Sequence, residues 1–389
     1  VMNKFMNGCV HVMNLLEGAH HIIETIEQAG GEAYIVGGAV RDMLLDRLPG
    51  DYDLASSMLP EQIIDLFPVV IPTGLEHGTV TVVLDHVPYE ITTFRSEATY
   101  SDRRRPDAVT LGVSLEEDLT RRDFTINAMA LRPTGRVDLF GGEHDIKERI
   151  IRTVGTPKER FDEDALRMMR AFRFMSQLEF DLDPATEQAI TELAPHLAAV
   201  AIERIAIEFE KLLLGPGKQQ ALQVMLRTGI ERYLPGMDAA IIEALAKQSL
   251  QGVSKDAVWT LALDAGLTRD QLTRWKRSKQ QVQLAARLAP LLHRPLTDWD
   301  RYQLADEELD ILRQMTGNDY PDRSDLPIRG RKELAVDGKD MIRFGLRKQQ
   351  IKEALLHLEY GVVVHAFRND QATLMEEVKR WHIRSENKS

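Results

Sequence analysis

Cysteine is nearly missing from this chain: Cys9 stands alone among 389 residues. A lone thiol excludes an internal disulfide and any zinc cluster built on several cysteines. Long apolar runs are missing as well, and none approaches the roughly twenty residues that a membrane-spanning helix requires. Internal repeats and low-complexity tracts are lacking. Val1 to Leu16 is mildly apolar with one lysine, without the basic head, clean apolar run and small-residue cleavage site of a secretory leader. It reads as an extension, and these absences together fit the cytoplasm. Positive charge is in deficit too. A net charge of −11 argues at first against a nucleic-acid partner. A local basic stripe is sufficient for such a partner, however, and the basic residues are unevenly spread. They gather at Arg103-Arg104-Arg105, at Arg121-Arg122, along Arg167, Arg170 and Arg173, and between Arg323 and Lys352.

The chain is longer than one hydrophobic core usually serves, so two to four domains are expected. Strand and helix signals alternate up to about residue 140. A helix-like stretch, Glu17–Ala29, stops at Gly30-Gly31. Strands are expected at Glu32–Val36, Asp51–Ala55, Val69–Ile71, Thr79–Leu84 and Tyr89–Phe94, with a short helix opened by Leu59-Pro60-Glu61. Asp138-Leu139-Phe140-Gly141-Gly142 reads as a hinge. Beyond Glu143 the strand signals fade. Helical spacing runs through Ala165–Phe174, Thr186–Ala199, Ile202–Leu214 and Gln219–Arg227. Pro321 to Pro327 reads as a linker, followed by a last helical segment from Arg331 to about Arg384.

What the chain does have is a glycine pair followed by an alternating carboxylate pair. Gly37-Gly38 falls between a strand and the helix-like Ala39–Leu45. Glycine lets backbone N–H groups approach a phosphate, and a helix N-terminus favours the anion. Arg41 adds a cation. In Asp51-Tyr52-Asp53, positions i and i+2 share one strand face. Two hard oxygen ligands there suit Mg²⁺ bridging to a nucleoside triphosphate. Tyr52 would point the other way. Each motif alone is commonly a tight turn or a solvated loop edge; their order and spacing favour nucleotidyl transfer. Glu90 is a candidate third carboxylate, with an outward-facing edge-strand Glu as the alternative. In Arg121–Ala128, Arg122 suits triphosphate charge and Asp123 a ribose hydroxyl, against the plainer reading of a salt-bridged helix start.

Glu163-Asp164-Ala165-Leu166-Arg167 carries a further signal. On a helix, Asp164 and Arg167 share a face, and Arg170 and Arg173 continue it. The plain alternative is a surface ion pair worth tenths of a kcal/mol. The chemical reading is base recognition. A carboxylate accepts and a guanidinium donates, which matches the amine and ring nitrogen that cytosine and adenine both present. Uracil and guanine present a carbonyl and a ring N–H there, and would leave buried groups unpaired. One protein edge thereby selects CTP and ATP.

Together, Gly37–Asp42, Asp51-Tyr52-Asp53, Arg121–Phe124, Asp138–Gly142, Glu163–Arg167 and Glu203-Arg204 resemble the class II tRNA nucleotidyltransferases. These are the bacterial CCA-adding enzymes, with the bacterial poly(A) polymerases as close relatives. The resemblance covers nearly the whole chain. It implies an α+β polymerase-β-like nucleotidyltransferase head (residues 1–142), then an all-α neck (143–215), body (216–320) and tail (321–389). It implies that Asp51 and Asp53 bind the catalytic Mg²⁺ ions, and that Gly38, Arg41 and Arg122 contact phosphates or sugar. Asp164 and Arg167 are implied to read the base, Arg170 and Arg173 to help hold the nucleotide, and Glu203-Arg204 to brace the neck. The implied partner is tRNA, held by body and tail. Tyr52 departs from the small or β-branched residue usual between the aspartates. The full-length segment from Ser96 to Pro106 favours complete CCA addition over CC addition. Residues 322–389 hold 14 basic against 11 acidic side chains, too mild an excess for the general RNA binding expected of a poly(A) polymerase. A non-catalytic RNA-binding protein would have lost a metal carboxylate, and both are present.

Overall fold

The computed structural model describes residues 2–97, 109–248 and 253–386, so most of the segment Ser96–Pro106 and the cluster Arg103–Arg105 lie outside the described residues. The chain forms two compact units: Val1–Gln251 with Thr273–Lys276, and Gly252–Leu272 with Arg277–Ser389.

The first unit opens with helix α1 (Met2–Gln28), longer than the expected Glu17–Ala29. Gly30, at φ +87°, ends it, and the Gly30 and Gly31 amides donate to the carbonyls of Glu27 and Ile26. A mixed sheet follows: β1 (Ala33–Val36), β2 (Leu54–Ser56), β3 (Val70–Gly74), β4 (Thr79–Leu84), β5 (Val87–Thr93), β6 (Arg95–Glu97), β7 (Val109–Leu111), β8 (Met129–Arg132) and β9 (Gly135–Asp138). Seven of these strands pair in the order β3-β4-β5-β2-β1-β8-β9, while β6 and β7 form a separate antiparallel pair. Only β2 and β5 pair in parallel within the large sheet. On one face Tyr34, Val36, Ala55, Phe94, Leu119 and Ala130 form a core cluster. The larger aliphatic and phenyl side chains among them, Val36, Phe94 and Leu119, each contribute roughly 1.5–3 kcal/mol.

Three short helices lie among the strands: α2 (Gly38–Leu44), α3 (Pro60–Leu66) and α4 (Leu115–Thr120). Helix α5 (Gly142–Glu148) then leads out of the sheet. The expected hinge at Asp138–Gly142 is a capped, packed turn. Asp138 accepts from the Gly142 and Glu143 amides, and a Cβ at Gly142 would fall 2.3 Å from the Thr125 carbonyl.

Helices then dominate: α6 (Pro157–Glu163), α7 (Leu166–Leu178), α8 (Pro184–Leu193), α9 (Ile202–Leu213), α10 (Lys218–Thr228) and α11 (Ala239–Lys247). A two-residue parallel bridge joins β10 (Ile150–Ile151) to β11 (Asp181–Leu182). Helix α7 is buried along nearly its whole length and packs on α9 and α10. The approach is close: Ser176 Oγ donates to the Leu212 carbonyl at 2.5 Å, and a Cβ at Gly215 would lie 2.2 Å from Ser176 Oγ. Trp275 closes this unit by stacking on Phe209 at 5.1 Å, its indole N–H bonded to the Pro235 carbonyl.

The second unit is helical, with one core around Leu288, Leu304 and Leu312 and another around Ile328, Met341, Leu358 and Leu374. Two expectations change here. Pro321–Pro327 is not a free linker, because Leu326 and Ile328 are buried and Arg301 bonds the Asp322 carbonyl and Asp325. The last segment is three helices, Gly338–Arg343, Lys348–Val363 and Gln371–Glu386, because each must fold back to bury its apolar face. No helix among the described residues is long and apolar enough to cross a membrane.

Candidate active site

The β1–α2 turn needs glycine: Gly37 has φ +71°, a conformation costly for any side chain. Gly38 then starts α2, and Arg41 lies one turn in. Asp51 and Asp53 do not lie inside a strand as expected; the ladder begins at Leu54. The extended run nevertheless continues outward, since Val36 N–H donates to the Asp53 carbonyl at 2.9 Å. Alternation survives: Tyr52 is 5% exposed, whereas Asp51 and Asp53 both face outward. The side chain of Tyr52 is thus turned away from the aspartates.

Strand β5 is an interior strand, not the edge considered for Glu90. Leu54 pairs with Ile91 in parallel register, which sets Glu90 beside Asp53 on the exposed face. Recession into the wall, with Asp51 and Glu90 alongside, pushes the Asp53 carboxyl up to about 6 against the pull of Arg122. Among the described residues neither Asp51 nor Asp53 has a side-chain hydrogen bond or ion pair, and no three His, Cys, Asp or Glu side chains form a metal cage. Crowded, unneutralised carboxylates fit a divalent ion that takes its remaining ligands from phosphate and water.

Opposite stands a wall of arginines. Arg122 bonds Asp118 at 3.0 Å, and Asp118 also takes two bonds from Arg121. Although burial opposes it, this pairing holds Asp118 below the usual carboxylate range. Asp123 is buried; its oxygens accept from Arg170 Nε (2.7 Å), the Phe124 amide (2.8 Å) and Asn127 Nδ2 (3.1 Å). Burial alone would raise this group, but Arg170 and Asn127 bring it down to about 2. Asn127 also accepts from Arg41 at 2.8 Å, and so links the glycine turn and α2 to Asp123. Arg173 lies 3.2 Å from Glu208, and burial beside Arg170 lowers it to about 10. The guanidiniums of Arg41, Arg170 and Arg173 all lie within 5.4 Å of the Phe174 ring centroid.

Asp164 and Arg167 require a correction. They do not share one helix. Helix α6 ends at Glu163, Asp164 is extended at φ −141°, and α7 begins at Leu166. Asp164 Oδ1 accepts from the Leu166 amide, and its Oδ2 accepts from Arg204 at 2.7 Å. Arg167 bonds Glu163 at 2.5 Å and the carbonyls of Arg121 and Arg160. The two side chains are held by separate partners and still face one cavity. Arg170 and Arg173 do share α7.

That cavity measures about 900 Å³ and takes in Gly37, Gly38, Asp51, Asp53 and the arginine wall. Eight arginines and one lysine line it against four aspartates, so it is strongly cationic within an acidic chain. Sequence reading missed Asp118 and Asn127, although both lie in or beside the quoted Arg121–Ala128 segment. It also missed Glu208 and Lys211, which follow Arg204 at helical spacing.

A mixed sheet with a glycine turn facing paired aspartates, followed by arginine-lined helices, defines a nucleotidyltransferase. Residues 33–152 match the family model described as the Poly A polymerase head domain, and residues 179–241 match that for the probable RNA- and SrmB-binding site of polymerase A. The chain is 44% identical to the CCA-adding enzyme of Levilactobacillus brevis, over 95% of this chain and 98% of that protein. It is 42% identical to that of Anoxybacillus flavithermus, over 92% and 95%. The crystal structure of the Bacillus stearothermophilus CCA-adding enzyme in complex with CTP superposes with a TM-score of 0.85, at 38% identity, over 95% of this chain and 98% of that one. The chain belongs to the CCA-adding enzymes.

Proposed function

We propose that this protein builds the CCA end of tRNA from CTP and ATP without a nucleic-acid template, releasing pyrophosphate, with Mg²⁺ as the divalent ion and the cytoplasm as its location. The observation that carries the reading is one cationic cavity holding an unneutralised aspartate pair at one side and Asp164 with Arg167 at another. The likeness to the CTP complex at 38% identity supports the same nucleotide. Residues 1–142 serve as head, 143–215 as neck, 216–320 as body and 321–389 as tail, with tRNA held by the last two.

Asp51 and Asp53 hold the metal, with Glu90 adding negative potential beside them. When bound, the divalent ion lowers the cost of the attacking alkoxide and of the leaving pyrophosphate. The tRNA 3′ hydroxyl attacks the α-phosphorus, a new P–O bond forms, and the bond to the β-phosphate oxygen breaks in line. Gly38 at the start of α2, Arg41 and Arg122 bind phosphate oxygens. Asp123 orients the ribose. Asp164, held by Arg204, accepts from the exocyclic amine, and Arg167 donates to the ring nitrogen. Arg170 and Arg173 keep the nucleotide in place.

The test supplies tRNA transcripts lacking CCA with Mg²⁺ and CTP, ATP or both. Growth by three nucleotides with both substrates is expected. Arrest after two C residues would mark a CC-adding enzyme, and long A tails on unrelated RNA a poly(A) polymerase.

A further inference from the structure

Helices α7 and α9 run side by side in the same direction. Asp164 meets Arg204, Arg173 meets Glu208, and Ser176 meets Leu212. Arg204, Glu208 and Lys211 fall at i, i+4 and i+7, one stripe of α9. The turn after the Arg173–Glu208 pair therefore carries Gln177 on α7 and Lys211 on α9, and both line the cavity. From Leu166, next to Asp164, to Gln177 the rise of α7 amounts to about 17 Å, enough for a nucleoside triphosphate laid end to end.

Direction follows from the neighbours. The base-reading groups sit at the N-terminal end of α7. Arg41, in the first turn of α2, lies over Phe174 at 5.2 Å, and Arg47 donates to the Gln177 carbonyl. The phosphate turn thus adjoins the C-terminal half of α7, where Lys211 stands.

The cavity cations differ in one respect. Seven of the eight arginines, Arg41, Arg121, Arg122, Arg167, Arg170, Arg173 and Arg204, each pair with a carboxylate, and the eighth, Arg95, donates to the His77 carbonyl. Lys211 is half-buried and, among the described residues, has neither an ion pair nor a hydrogen bond on its ammonium. A compact ammonium suits a point contact to phosphate.

We propose that Lys211 binds the terminal phosphates of the incoming nucleotide, and the pyrophosphate that leaves. This rests on the cavity taking CTP and ATP as described above. The assignment makes Lys211 a grip on the polyphosphate alone, indifferent to the base.

The experiment measures binding of CTP, ATP, CMP and pyrophosphate to the full chain with Mg²⁺ and no tRNA. Lys211→Gln should weaken CTP, ATP and pyrophosphate by about tenfold, the loss expected for one charge-assisted contact, and leave CMP unchanged. Lys211→Arg should restore most of the affinity, and an unchanged Tm would exclude a folding effect. Equal loss of CTP and CMP overturns the assignment. Unchanged CTP affinity also overturns it, and weaker binding in a separate tRNA titration would then mark a contact to the RNA backbone. Wild-type protein that binds no CTP would overturn the function reading itself, a result distinct from any effect of the variant.

Discussion

The two sides of the cavity are built on opposite electrostatic plans. On the sheet side, Asp51 and Asp53 crowd beside Glu90 with no side-chain partner among the described residues, and Asp53 is pushed up to about 6. On the helical side, the arginines are paired: Arg167 with Glu163, Arg170 with Asp123, Arg173 with Glu208. Repelling carboxylates gain by recruiting a cation. Paired guanidiniums are already oriented and lose little when substrate arrives. One side awaits a ligand to become stable, while the other is stable before the ligand comes.

The sharpest way to break this contrast is Asp53→Ala. Transfer should fall by about a thousandfold or more in single-turnover assays with Mg²⁺, while the fold survives, because the change relieves repulsion. If Mg²⁺ raised the Tm of this variant as much as that of wild type, the acidic side would not be the metal's site. Next comes Asp123→Asn on the opposite wall. It leaves Arg170 with only the longer 4.0 Å contact to Glu208 and should cost about 3 kcal/mol in urea unfolding at pH 7. The sign of the pH effect follows from its folded-state value of about 2 against an ordinary 3.8. Its stabilisation is complete above the ordinary value and is lost as pH falls from 4 towards 2. Acid titration of the variant should therefore show a shallower fall over that window; an equally steep fall would remove Asp123 from the account.

Asp164→Ala should act on selection more than on rate. Preference for CTP and ATP over UTP and GTP is expected to drop by about tenfold or more, read from competition assays. Full selectivity in this variant would end the protein-template reading. The smallest effect tests the converse, that pairing alone confers little. Arg380→Ala removes an exposed ion pair with Glu376 and Glu377 and should move stability by less than about 0.5 kcal/mol.

Much of this contrast was legible in the sequence where the controlling interactions are local. The Gly37-Gly38 turn and the alternation at Asp51–Asp53 depend on neighbouring residues, and Thr79–Leu84 was placed to the residue. The break at Asp164 was not legible, because no glycine or proline marks it. It is held by Arg204, forty positions away, and by the Leu166 amide. The interior position of β5 depends on a parallel pairing with β2 that no period reveals. The linker expected at Pro321–Pro327 failed for the same reason: its composition suggested solvent, but Leu326 and Ile328 had a core to reach.

The contact between Gly215 and Ser176 reaches further than its place outside the cavity suggests. Any side chain at 215 must push on α7, the rod that carries Arg167, Arg170 and Arg173. A geneticist who found Gly215→Val among inactive alleles would see intact aspartates, an intact Gly37-Gly38 turn and no change in any residue lining the cavity. The lesion would pass for a catalytic defect while being one of alignment. In this protein the list of positions that silence activity should be longer than the list of residues that perform it.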